Sequence, residues 1–197
     1  LFPSRVAVFT LDEESSRRRQ VQTDDIVEIG YDHIEPEDIE MLKEPLMLSP
    51  RAMDAVHALV KHFGEKSWLE QFLSLDTTER DKLAESMDPA SGTLRALSMS
   101  LGRLKRLRFL VPKARQNSVE RILEYLDRGI NVVLEFGRYN DLTAYILVAN
   151  VLTRRIHERY VERKERAMGD KASEPRPLVI AIEEAHKFLN PEVSRQT

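Results

Sequence analysis

The stretch Leu178-Val-Ile-Ala-Ile-Glu-Glu-Ala-His-Lys-Phe188 constrains the fold of this chain more than any other. Five apolar residues, Leu178 to Ile182, run without interruption into two adjacent carboxylates, Glu183 and Glu184, with Pro175 and Pro177 just upstream. A short continuous apolar run bounded by turn residues reads as a strand buried on both faces, the kind found in parallel sheets. Open α/β sheets bind ligands at the carboxyl ends of their strands, so the acidic pair stands where a site would be. Two carboxylates side by side repel each other, and a divalent cation such as Mg²⁺, which takes hard oxygen ligands, removes that penalty. One carboxylate would serve the metal or its water shell and the next would orient an attacking water, as in nucleotide hydrolysis. The same residues also suit a plainer role as the acidic first turn of a solvated helix, because carboxylates favour the positive end of the helix dipole. The pattern alone supports both readings.

A chain of 197 residues suits one large domain or two small ones and can bury a core. With 42% hydrophobic and 32% charged residues the composition is that of a soluble globular protein. The net charge of −3 does not point to nucleic acid, so any basic surface must be local. The absence of cysteine excludes disulfides, zinc–thiolate sites and a thiol nucleophile, and fits a reducing cytoplasm. No apolar run reaches membrane-spanning length and no signal peptide is visible. The chain opens at Leu1 without a methionine and stops just past the acidic motif, which reads as a piece of a longer protein.

Taken in order, Val6-Ala-Val-Phe-Thr10 forms a short β-type run, and Ile26-Val-Glu-Ile-Gly-Tyr31 reads as a second strand. Two strands are too few to be stable alone, so they are expected to pair elsewhere. Arg17, Arg18 and Arg19 between them read as a solvated face. Pro36, with Glu37 and Asp38 in the first turn, opens a helical region. Ser49-Pro50 starts a helix whose Met53, Val56, Leu59, Val60 and Phe63 share one stripe, and Gly64 ends it. Ser67 begins another through Trp68, a core residue, and Thr78 caps a third. His57 and His62, five apart, do not share a helix face and form no metal pair.

Residues 89–119 contain no acidic side chain but carry Arg95, Arg103, Lys105, Arg106, Arg108, Lys113 and Arg115. Leu94, Leu97, Leu101, Leu104 and Leu107 recur at threes and fours, giving an amphipathic helix with a basic side. That side is either a solvated face or a patch for phosphates. Arg103, Arg106 and Arg108 are the candidates to touch nucleic acid or to reach a neighbouring subunit's nucleotide. Asn117 and Glu120 have capping-box spacing ahead of a helix that Gly129 closes. Asn131 to Phe136 is a near-continuous apolar strand in which Glu135 reads as structural. Gly137 to Asp141 turns into a long helix over Leu142 to Arg166, and a polar linker leads to Leu178. Strand, helix and strand make a βαβ unit with parallel strands and a right-handed crossover.

The string Ile182-Glu-Glu-Ala-His-Lys-Phe-Leu189 resembles the Walker B motif of HerA/FtsK-like P-loop ATPases, in which a hydrophobic strand ends in an acidic pair followed by Ala-His and an aromatic residue. The likeness is best over 129–197 and weaker over the helical region. It implies an α/β fold: a partial RecA-like P-loop NTPase core with a parallel sheet and an inserted α-helical subdomain. The division it implies is a β-containing segment at 1–35, a helical insertion at 36–128, and a βαβ part of the core at 129–197. It further implies ATP and Mg²⁺ as cofactors, with Glu184 polarising the attacking water and Glu183 holding Mg²⁺ through water. His186 and Arg195 would lie near the γ-phosphate or the subunit border. Members form hexameric rings that move double-stranded DNA, often beside a NurA-type nuclease, in the cytoplasm and without a membrane.

Two departures qualify the likeness. Glu183 stands where many P-loop enzymes have aspartate, which adds a methylene to the metal geometry. No G-x-x-x-x-G-K-[ST] loop occurs, and the seven glycines are scattered singly. That loop is expected upstream of Leu1, and the chain by itself is expected to bind ATP poorly. Two other classes stay open: a DEAH-box-like helicase, since Glu-Glu-Ala-His differs from Asp-Glu-Ala-His at one position, and a non-catalytic helical interaction or DNA-binding module.

Overall fold

The computed structural model describes residues 5–87, 91–168, 170 and 174–185. They fall into two compact units, one made of the residues up to Val27 with those from Asn117 onward, the other of Glu28–Gln116. The first unit opens with strand β1 (Val6–Thr10), whose Ala7 and Phe9 are buried. Helix α1 (Glu13–Arg18) follows, capped by Asp12 through the Ser15 amide, with Glu13 and Glu14 in its first turn and Arg17 and Arg18 in its last. This is the charge order that the helix dipole favours. Strand β2 (Asp25–Ile26) then pairs with β1.

The single strand expected over 26–31 is in fact two. Strand β3 (Ile29–Gly30) belongs to a different sheet, and Tyr31–His33 is a 3₁₀ turn. The reason lies in the hydrogen bonds: the Val27 amide donates to Thr10 O in one sheet, and the Ile29 amide donates to Phe109 O in the other. The second unit continues with α2 (Pro36–Met41), α3 (Pro50–Phe63), α4 (Trp68–Ser74), α5 (Thr77–Ser86) and α6 (Ser91–Leu101). Gly64 closes α3 at φ +84°, a backbone region open to glycine. Asp76 caps α5, not Thr78, because the reciprocal pair of Asp76 and Glu79 satisfies both amides at 2.8 Å. Leu94, Leu97, Leu101, Leu104 and Leu107 are buried as their spacing requires. The helix tightens to 3₁₀ over Gly102–Arg106, and strand β4 (Leu110–Val111) pairs parallel with β3.

Glu28 and Arg115, near the two ends of this unit, hold each other. The Arg115 amide and Nε donate to the Glu28 carboxylate at 2.9 and 2.8 Å. The Arg115 hydrogen bond keeps the Glu28 carboxyl below its ordinary range, ahead of burial, which pushes it up. A lowered folded-state value stabilises the protein above the unfolded carboxylate range, and that contribution is lost as pH falls through the folded value. Wild-type protein is therefore expected to lose stability on acidification more steeply than Glu28→Gln, as read from urea midpoints across that range. The difference should be no more than about 1 kcal/mol, because Arg115 is exposed and solvent screens the pair.

The chain returns to the first unit through α7 (Ser118–Asp127), capped by Asn117, then strand β5 (Asn131–Glu135) and helix α8 (Leu142–Arg166), capped by Asp141. Strand β5 lies parallel to β1 from Val6↔Asn131 to Thr10↔Glu135, giving the order β2-β1-β5. Paired residues share a face, so Ala7, Phe9, Val132 and Leu134 point one way, and the Tyr125 ring of α7 meets Phe9 edge-on at 5.3 Å. On the other face Val6 and Val133 are exposed. Helix α7 packs on β5 and α8.

The chain from 174 to 182 has no regular secondary structure, and Val179 is 87% exposed. The doubly buried strand expected at Leu178–Ile182 is thus not formed, although β5 ends the sheet and offers an edge. An all-apolar strand gains its stability from cover on both faces. One face of this sheet is open at Val6 and Val133, so that gain is missing. Pro175 and Pro177 also remove two ladder donors from the approach. Pro175 to Val179 instead line a groove with Gly129, Ile130 and Asn131, at the start of β5.

Candidate functional site

The carboxyl ends of β1 and β5 gather a polar cluster that the sequence reading passed over. The Thr10 hydroxyl is buried, accepts from the Asp12 amide at 3.0 Å and lies 2.8 Å from the Ser16 hydroxyl. Ser16 Oγ is also 2.7 Å from Glu135 Oε2. A hydroxyl has one proton, and the carboxylate is its strongest acceptor here, so Ser16 donates to Glu135 and Thr10 donates to Ser16. Arg19 completes the cluster with an ion pair to Glu135. Glu135 thereby ties β5 to α1, which agrees with a structural role.

Asp12 is only 7% exposed. Its Oδ1 accepts from the Ser15 amide at 3.2 Å, and its Oδ2 lies 3.0 Å from Arg138 Nε. Gly137, at φ +64°, brings the turn after β5 so close that an added Cβ would come within 2.6 Å of Asp12 Cβ. Sequence reasoning did not find Asp12 or Arg138, yet a signal was there. Val6-Ala-Val-Phe-Thr10 followed by Leu11-Asp12 is the same passage from apolar strand to carboxylate that drew attention to Glu183.

Glu183 and Glu184 are both exposed at the end of the irregular segment, and Glu184 takes φ +55°, a left-handed backbone uncommon outside glycine. Among the described residues no group of three or more carboxylate or histidine side chains is arranged to hold a metal. The donor chemistry of the pair, two hard carboxylates, still suits Mg²⁺ through its water shell. The sequence has no glycine-rich phosphate loop to cradle a triphosphate. His186 and Arg195 lie outside the described residues.

In the helical unit Arg95, Arg103, Arg106, Arg108 and Lys113 are exposed above the buried leucines. Lys105 is tied to the fold, donating to Leu73 O at 2.8 Å. Arg95, Arg103, Arg106 and Lys113 have no carboxylate partner among the described residues. Helices α7 and α8 show the opposite habit. Arg121 pairs with Asp25 and Glu124, Arg159 with Glu120 and Glu162, and Arg163 with Glu120 and Asp127. Uncompensated cations gathered on one short stretch form a local basic surface on an acidic chain.

The family model described as helicase HerA, central domain, matches residues 1–156. The chain belongs to this family. It is accordingly a HerA/FtsK-like P-loop ATPase domain, and its parallel sheets and many helices agree with part of a RecA-like core. The matched segment runs from β1 into α8 and includes Asp12, Glu135, Arg138 and the basic stretch, whereas Glu183 and Glu184 lie beyond it. Comparison with curated proteins and with solved structures gave no match. Nucleotide and Mg²⁺ use go with the HerA family. Among the described residues no helix is long and apolar enough to cross a membrane.

Proposed function

We propose that this chain is the central part of an ATP-driven motor that moves double-stranded DNA, working in DNA end processing or a related transaction in the cytoplasm. The observation that carries the reading is membership of the HerA family in a chain that also bears an apolar run ending in Glu183-Glu184. In this reading Glu184 orients and deprotonates the attacking water, and Glu183 holds Mg²⁺ through a water molecule. His186 and Arg195 stand near the γ-phosphate or the subunit border. Residues 36–128 are the helical insertion between the 1–35 and 129–197 parts of the core. The assembly is a homo-hexameric ring, with a NurA-like nuclease or another effector as partner.

Arg103, Arg106 and Arg108 serve DNA phosphates, or a nucleotide on the adjacent subunit. Their exposure, and the lack of a carboxylate partner for Arg103 and Arg106 among the described residues, support this part of the reading. The test is duplex binding and DNA-stimulated ATP hydrolysis by the intact protein across a salt series. Each phosphate contact contributes about 0.9 to the slope of log affinity against log salt. An Arg103→Ala/Arg106→Ala double variant is expected to flatten that slope by about 2 and to weaken binding to all duplex sequences alike. An unchanged slope would remove these arginines from the DNA surface. Absence of ATP hydrolysis with or without DNA would leave the non-catalytic interaction module as the better account.

A further inference from the structure

We propose that Arg138 is an anion-binding residue of this sheet edge, taking a phosphate oxygen of the nucleotide, and that Asp12 is the residue that positions it. The inference rests on the nucleotide-hydrolysis reading above and adds residues to it. Arg138 follows Gly137 directly after β5, at the carboxyl end of a parallel sheet, where open α/β folds receive ligands.

The Asp12–Arg138 pair is unlike an ordinary surface ion pair, in which both ends move. Asp12 is fixed by the fold: it is 7% exposed, one oxygen caps α1, and the Gly137 turn presses against its Cβ. Its other oxygen, Oδ2, is buried and receives no hydrogen bond, although Arg138 Nε is 3.0 Å away. The guanidinium is thus held there by charge without an aligned donor, an arrangement that costs free energy compared with a directed bond. Arg138 itself is half exposed, stands over the Tyr139 ring at 5.7 Å, and feels the Tyr139 side chain and the Glu14 carboxylate as well as Asp12.

The neighbouring arginine makes the contrast. Arg19 is committed to Glu135, which the Ser16 hydroxyl also engages. Arg138 keeps part of its guanidinium exposed beyond the contact with Asp12, and a planar guanidinium matches the oxygen geometry of a phosphate. Asp12 keeps it at the sheet edge.

The experiment uses the intact protein and measures the dissociation constant for ATP–Mg²⁺ by calorimetry, with adenosine and a DNA duplex as separate probes. Arg138→Ala is expected to raise the ATP constant by about tenfold or more, the loss expected for a hydrogen bond to a charged group. Adenosine and duplex binding should not change. Arg138→Lys should recover part of the loss, since lysine keeps the charge but not the fork, and Asp12→Asn should give a smaller rise than Arg138→Ala. Matching melting curves for Arg138→Ala, Arg138→Lys and wild type would exclude misfolding as the cause. ATP binding by Arg138→Ala equal to wild type overturns the proposal while leaving the nucleotide reading intact. Loss of duplex binding with unchanged ATP binding overturns it in favour of a DNA phosphate. Failure of the wild type itself to bind ATP overturns both.

Discussion

Replacing Trp68 by alanine is expected to destabilise the helical unit by about 3–5 kcal/mol, the cost of removing a large aromatic side chain from a packed interior. Trp68 is fully buried at the start of α4, which packs on α3, α6 and the 3₁₀ turn at Tyr31–His33. The indole also does polar work. Its Nε1 donates to Ile34 O at 3.1 Å, in the extended residue just past that turn. Truncation therefore leaves both a cavity and a carbonyl without its donor. Trp68→Phe separates the two contributions, because it keeps most of the volume and loses the hydrogen bond. An intermediate loss of about 1–3 kcal/mol is expected for it. Urea unfolding followed by circular dichroism measures both variants. In the wild type the single tryptophan reports by fluorescence on this unit alone. A loss below about 1 kcal/mol for Trp68→Ala would mean that α3, α4 and α6 do not depend on it as their shared centre.

The longer helices were legible in the sequence because they carry their own evidence, whereas α1 (Glu13–Arg18), short and charged, reads only as a polar connection. The buried stripe of α8 runs through Ala144, Leu147, Val148, Val151, Leu152 and Ile156, at helical spacing, and Asp141 marks its start, so its bounds follow from local pattern. The same holds for α3 between Ser49-Pro50 and Gly64, although the Ser49 side chain makes no capping hydrogen bond. Strands β2, β3 and β4 have two residues each, too few to show a period, and the crossing from one sheet to the other at Val27–Glu28 depends on partners far along the chain. Leu178–Ile182 shows the deeper limit. An apolar run states what a segment would bury given neighbours on both faces, and is silent on whether those neighbours are present. The Asp12–Arg138 contact was hidden for a related reason: only the β1–β5 register brings two polar loops to one edge.

Glu184→Gln is expected to lower ATP hydrolysis by the intact protein roughly 10²- to 10⁴-fold, the range that a positioned general base contributes. Glutamine keeps the size and one acceptor oxygen of glutamate but takes no proton at neutral pH, so the water would still be held without being activated. Because Glu184 is exposed, the substitution should leave stability within about 0.5 kcal/mol of wild type. ATP and duplex binding should likewise persist, which separates lost chemistry from lost assembly. Glu183→Gln is expected to behave differently. If that carboxylate holds Mg²⁺ through water, its loss raises the Mg²⁺ concentration needed for half-maximal rate, and added Mg²⁺ restores part of the activity. The two neighbours thus give distinct kinetic signatures although they are chemically identical. Wild-type turnover in both Glu184→Gln and Glu183→Gln would remove the catalytic role from this pair and leave it as the acidic start of a helix, the plainer reading its sequence also supports. A drop in rate that excess Mg²⁺ repairs in Glu184→Gln but not in Glu183→Gln would exchange the two roles and place the base on Glu183.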